Sequence, residues 1–240
     1  MKKSIYSIVG FVIIQIILLL VIAILCSIFI QNELISVGAR YIILVALAFI
    51  LNKHWLKQKI SLFTGKIEIK NIMLPYICEL VLIFFILYGF KYDYTKSELI
   101  NAICFSIGPG IYEEYVFRGV VLSALIDRFK HSHYWGIIKA VILSSILFGS
   151  MHLVNLIGQP STETILQSIT AMIMGLFLAA ICIRTKSILP GMILHALSNF
   201  VQNSLINSNN LFALIYYIIV IVLTIILLIP RKSNKYQKIQ

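Results

Sequence analysis

Two adjacent glutamates and an arginine, Glu113, Glu114 and Arg118, lie in an otherwise apolar stretch from Gly108 to Phe129. A charged side chain near the middle of a bilayer costs roughly 2.5–3.5 kcal/mol on insertion scales, so ionisable groups there face a partner or a polar cavity. Helical spacing gives these three different roles. Glu114 and Arg118 are four residues apart, acid first, an order that puts them on one face and lets each charge offset the other's desolvation. Glu113 is rotated away from that pair and has no cation beside it in the local sequence. A carboxylate left unpaired in apolar surroundings suits a group that takes and returns a proton.

Two later apolar segments carry the other candidates. His152 follows Phe148 by four residues in FGSMH, and Asn199 follows His195 by four in HALSN, so an imidazole and an amide share one helical face inside a hydrophobic run. At 1.5 Å per residue, Glu113 is expected about 21 to 24 Å from the cytoplasmic ends, His152 about 25 Å and His195 about 11 Å. The first two agree in depth and His195 is expected to sit shallower. His54, His131 and His133 lie in basic or interfacial connections and read as solvated loop residues. The chain has no HExxH, the helix of a common zinc peptidase.

The elements that must hold these residues are membrane helices. Of 240 residues, 60% are hydrophobic and 12% charged, against about 25% charged in ordinary soluble domains. The apolar runs, each about 17 to 26 residues, are long enough to cross a hydrocarbon core of roughly 30 Å and lack the alternation of a barrel. The expected fold is all-α, a polytopic bundle of about eight transmembrane helices: Ile5 to Ile30, Ile35 to Leu51, Ile72 to Phe90, Ile100 to Phe129, Trp135 to His152, Ile165 to Ile183, Ile188 to Leu205 and Leu211 to Ile229. Pro109, between two glycines, is expected to kink or split the fourth.

The formal charge of +11 comes from lysines and arginines in alternate connections rather than on one face, which reads as an orientation signal and not as a nucleic-acid surface. Counting them puts both termini in the cytoplasm, in a multi-pass cell-membrane protein. Trp135, Tyr134, Trp55, Tyr41, Tyr216 and Tyr217 are expected to anchor span ends at the interface. The Lys66–Lys70 stretch, Lys-Ile-Glu-Ile-Lys, is expected on the membrane surface. Cys26, Cys78, Cys104 and Cys182 have no CxxC spacing and are expected to be free, buried thiols. The apolar amino-terminal run is too long for a signal peptide and reads as a retained span.

Taken together, Glu113-Glu114-x-x-x-Arg118, Phe148-x-x-x-His152 and His195-x-x-x-Asn199, in this order, resemble the motifs of the CAAX protease and bacteriocin-processing family of intramembrane endopeptidases, also called Abi proteins. Phe117, Gly119 and Pro190-Gly191 resemble its flanking residues. The resemblance covers about Ile100 to Leu205, and the chain divides accordingly into helices over 1–98, a motif-bearing core over 99–206 and a last helix with a basic tail over 207–240. It implies hydrolysis of a peptide bond in a membrane-associated, lipidated or small precursor peptide. Carried over, Glu113 activates water with help from His152, His195 and Asn199 donate to the oxyanion, and Glu114 with Arg118 holds the helix. The same residue types are also a zinc set, with Glu113, His152 and His195 as ligands, so the cofactor is either none or zinc. The amide beside His195 favours the metal-free form. Membrane lipid and a peptide or lipidated protein are the expected partners. A non-catalytic immunity or scaffold protein of the same fold is the alternative, and a proton-coupled transporter a further one, disfavoured by the lack of an inverted repeat.

Overall fold

The structure, a computed structural model, describes residues 3–63, 69–88, 95–202 and 210–230. Within them the chain is all helix, with no strand. Side-chain oxygens open the first two helices: Ser4 accepts from the N–H of Ser7 ahead of α1 (Ile5–Phe29), and Asn32 from that of Ile35 ahead of α2 (Glu33–Leu51). After α3 (Ile69–Tyr88), a reciprocal Thr95–Glu98 capping box starts α4 (Lys96–Glu114). Then come α5 (Leu122–Phe129), α6 (His133–Met151), α7 (Ser161–Thr185), α8 (Leu189–Gln202) and α9 (Asn210–Leu228).

The described residues form seven unbroken helical stretches rather than about eight. Two expected spans are fused, because the reversal between α5 and α6 is a single 3₁₀ turn, Lys130–Ser132, after which His133 takes φ 44° and α6 packs back on α5. Pro109 does not split α4, which runs through it. The irregularity lies one turn further on, where Tyr115–Val121 is π-helical and the Leu122 N–H donates to the Phe117 carbonyl, five residues back.

Among the described residues, four stretches are long and apolar enough to cross a membrane: Ile5–Phe29, Glu33–Leu56, Ser97–Ile157 and Ser161–Thr185. Met73–Phe85 and Ala213–Leu228 are shorter apolar helices. Along α1 the exposed side chains Ile13, Ile17, Val21 and Ile24 repeat every three to four residues, opposite the buried Ile8, Phe11, Val12 and Gln15. An aliphatic stripe of this kind on the outside of a bundle meets lipid. The chain is an integral membrane protein.

The helices close on two apolar cores. The larger joins α1 and α2 to α4, α5 and α6, and includes Phe11, Leu44, Tyr112, Phe117, Leu125 and Phe148. The smaller joins α3, α7, α8 and α9 through Cys78, Leu82, Phe177, Leu178, Leu194 and Val220.

Trp55 braces the start of α1: its Nε1 donates to Ser7 Oγ at 2.7 Å and its ring meets Phe11 edge-on. Two other side chains depart from expectation. Cys104 is free like the other three cysteines but exposed, on the same outer face of α4 as Ile100, Ile103 and Ile107. Tyr41 packs inward, as described below. Residues 66–68 of the expected surface stretch lie outside the described residues.

The turn from α7 to α8 sets the depth of the last motif. Lys186 adopts φ 54°, and Thr185, Ser187 and Ile188 are buried. The Ile188 N–H donates to the Ser61 carbonyl at 3.1 Å and Ser187 Oγ donates to Leu62 O. Thus α8 begins underneath the segment that follows α2, inside the protein rather than at its edge.

Candidate functional site

Helix α8 crosses α4 closely because Gly110 lacks a side chain. A Cβ there would stand 2.9 Å from the backbone nitrogen of Ala196 and 3.0 Å from its Cα, closer than packed atoms tolerate. Gly110 lies one turn before the glutamates and Ala196 follows His195, so this contact delivers the imidazole to the carboxylates. Burial of the turn before α8 removes the depth mismatch expected for His195: measuring from the helix end assumed that α8 starts at the membrane surface.

Glu114 is the hub. Its Oε1 lies 2.9 Å from Nη1 of Arg118 and receives a 2.9 Å hydrogen bond from Nδ1 of His195. Oε1 being an acceptor beside a guanidinium, Nδ1 of His195 carries the proton. That fixes the tautomer and turns Nε2 towards Glu113, whose Oε2 is 3.6 Å away. Glu114 is 0% exposed, Arg118 2%, His195 5% and Glu113 9%, so water screens little of this. Glu113 and Glu114 thus place two carboxylates against one guanidinium in a buried group.

Packing holds the hub in place. The Arg118 guanidinium carbon lies 4.2 Å from the Phe148 ring centroid, a cation–π contact. The same ring meets Phe117 at 5.1 Å, His152 at 5.0 Å and His195 at 5.6 Å, all near edge-to-face. A Cβ on Gly191 would come 2.9 Å from Glu114 Oε2, so the glycine at the start of α8 makes room for the carboxylate.

Glu113 faces the other way as well. It lines a cavity of about 240 Å³ together with His152, Asn199, Tyr41, Asn155 and Gln167, the apolar remainder including Pro109 and Met151. His152 caps the end of α6, one ring nitrogen 3.1 Å from the Phe148 carbonyl, and begins the 3₁₀ turn His152–Ile157. The structure therefore brings Glu113, His152 and Asn199 around one space. His195 is not among the lining residues; it meets Glu113 from the α8 side. Arg118 and Glu114 are likewise withdrawn from the cavity. The loop histidines stay apart, His133 Nδ1 lying against the His131 carbonyl at 3.1 Å.

Sequence reasoning missed Tyr41, Asn155 and Gln167. Tyr41 of α2 stacks at a tilt on Tyr112, ring centroids 6.1 Å apart, and the Tyr112 hydroxyl donates to Gln15 Oε1 at 3.0 Å. Asn155 Nδ2 donates to Gln167 Oε1 at 2.8 Å. The available signals were a glutamine in the second turn of α7, just after Ile165 and Leu166, and an asparagine three residues after His152.

The residues do not fit a zinc site as they stand. His195, with Nδ1–H on Glu114, has the orienting carboxylate and free Nε2 of a metal ligand, but among the described residues no three of the His, Cys, Asp and Glu side chains are grouped to hold a metal ion. Two histidines and a glutamate are the right ligand types, but they are not gathered on one point.

Residues 95–201, just under half the chain, match the family described as Type II CAAX prenyl endopeptidase Rce1-like. The match begins at the capping residue of α4 and ends in α8, so it takes in all three polar motifs and leaves out α1, α2, α3 and α9. No curated protein and no solved structure matches the chain.

Proposed function

We propose, from the match of residues 95–201 to the Rce1-like type II CAAX prenyl endopeptidases, that this protein hydrolyses a peptide bond within the membrane, at the cavity lined by Glu113, His152 and Asn199. Glu113 is the general base. It takes a proton from a water molecule as the water oxygen bonds to the carbonyl carbon. Asn199, on the same cavity, donates to the oxyanion that develops, a type of contact worth roughly 2.7–4 kcal/mol when removed elsewhere, and His152, with its Nδ1–H on the Phe148 carbonyl, offers Nε2 as an acceptor to the attacking water. Glu113 then returns the proton to the leaving nitrogen as the C–N bond breaks.

His195 is a positioning residue in this scheme. With Nδ1–H committed to Glu114, its Nε2 faces Glu113 Oε2 at 3.6 Å and packs the carboxylate towards the cavity. Arg118 holds Glu114 as an acceptor. The observation that carries the reading is a single carboxylate, Glu113, with one side in a buried charge network and the other on a polar cavity.

The test uses the purified full chain in lipid vesicles, incubated with a mixture of membrane-associated peptides whose products are read by mass spectrometry. New termini are expected with the wild type and not with the Glu113→Ala, His152→Ala double variant. Equal products from both, or none from either, contradicts the proposal and favours a binding role.

A further inference from the structure

Arg118 and His195 reach the same oxygen of Glu114 from different helical stretches, so both stretches must be held in register. The segment that leaves α2 touches both. After the π-helical turn Asn52–Leu56, Lys57 takes φ 56°, a left-handed conformation that a lysine keeps only where its surroundings hold it. Asn52 supplies the hold. Its Nδ2 donates to the Gln58 carbonyl and its Oδ1 accepts from the Gln58 N–H, both at 2.9 Å, and its own carbonyl accepts from the Lys57 N–H at 2.6 Å. Asn52 is 5% exposed, so little water competes for these bonds.

Folded in this way, residues 57–62 form a strap. Ile60 reaches Gly119, the residue after Arg118: a Cβ on that glycine would stand 3.1 Å from Ile60 Cδ1. The next two residues, Ser61 and Leu62, offer their carbonyls to the Ile188 N–H and the Ser187 hydroxyl. Ile188 precedes His195 by seven residues, two helical turns or about 10 Å along α8. A helix is stiff over that length, so a shift at its first turn is carried to the imidazole.

We propose that Asn52, outside the family-matched segment, is a positioning residue for the Glu114 hub. It folds the strap that fixes the start of α8 against the π-helical turn Tyr115–Val121, so that His195 and Arg118 arrive at one oxygen. Removing the Asn52 amide frees Gln58, lets the strap lift from Ser187 and Ile188, and weakens the bond from His195 Nδ1 to Glu114. The inference goes beyond the proposed hydrolysis and needs no substrate, because the hub exists whether or not the cavity cleaves.

The imidazole itself is the readout. A ring proton held by a carboxylate resonates far downfield of the amide protons, and its exchange with water reports how often the bond opens. The full chain, with nitrogen-labelled histidine and held in lipid nanodiscs, is expected to show one such signal that His195→Gln removes. In Asn52→Ala that proton is expected to move upfield and to exchange at least about tenfold faster. Ile60→Ala leaves the Asn52–Gln58 bonds in place but loosens the strap on Gly119, and is expected to move the signal the same way by less. Ser27→Ala, exposed on α1 with its hydroxyl on the Ile24 carbonyl, is expected to leave it unchanged. A residue that only added stability would lower the melting temperature on removal and leave the signal of the folded molecules where it stands.

The inference is overturned if folded Asn52→Ala keeps the wild-type signal and exchange rate, or if the wild type shows no such signal. Should Asn52→Ala fail to fold, an Ile60→Ala protein identical to the wild type in signal and exchange overturns it. Wild-type signals in both variants remove the strap and leave the hydrolysis standing, whereas a wild type that cleaves nothing leaves the strap standing.

Discussion

At the scale of single residues, the decisive contact is the one oxygen of Glu114 shared by Arg118 and His195. The Glu114–Arg118 half was legible in the sequence because helical spacing alone brings positions four apart together. The His195 half was not, since it depends on where α8 begins, and nothing in the letters says that the turn before it is buried. Glu114→Gln presents an N–H₂ as readily as a carbonyl and so releases the imidazole tautomer; kcat is expected to fall between about 10² and 10⁴-fold, as when an orienting carboxylate is neutralised in other hydrolases. Unchanged kcat would remove Glu114 from the relay. Arg118→Met leaves Glu114 buried without its cation, and a loss of about 3–5 kcal/mol is expected in detergent unfolding experiments. A loss below 1 kcal/mol would show that the pair is not desolvated as described.

Among the elements, the closest constraint is the crossing of α4 and α8 at Gly110 and Ala196. Gly110→Val forces the helices apart, with an expected cost of about 1–3 kcal/mol from overpacking and a loss of cleavage, because His195 retreats from Glu113. Full activity with normal stability would mean that the crossing does not position the site. The long α4 was legible as an apolar run interrupted by charges. Its shape was not: Pro109 drew the expected break to itself, whereas the π-helical turn lies at Tyr115–Val121 and has no residue signature of its own. The same holds for Asn155, whose place on the cavity wall depends on the chain continuing as a 3₁₀ turn past His152 instead of leaving as an open loop.

For the whole molecule, composition and span length foretold an all-helical membrane bundle, because lipid permits few alternatives. Partner choice between helices was not legible, since apolar faces in a bilayer look alike whichever neighbour they meet. The alternating lysines and arginines predict both termini on the cytoplasmic side, and reporter fusions at each end should give the same cytoplasmic signal. Opposite signals would require an odd number of crossings.

The central claim is that the Glu113 carboxylate, poised between the buried His195 and the cavity, is the base that splits the peptide bond. It is tested most directly by the single-turnover cleavage rate of a defined peptide in vesicles by the wild type and by Glu113→Gln, with thermal unfolding of both recorded. The account predicts a rate at least about 10²-fold lower, the lower range for removing a general base, in a variant that melts like the wild type. Equal rates in two equally folded proteins would contradict it.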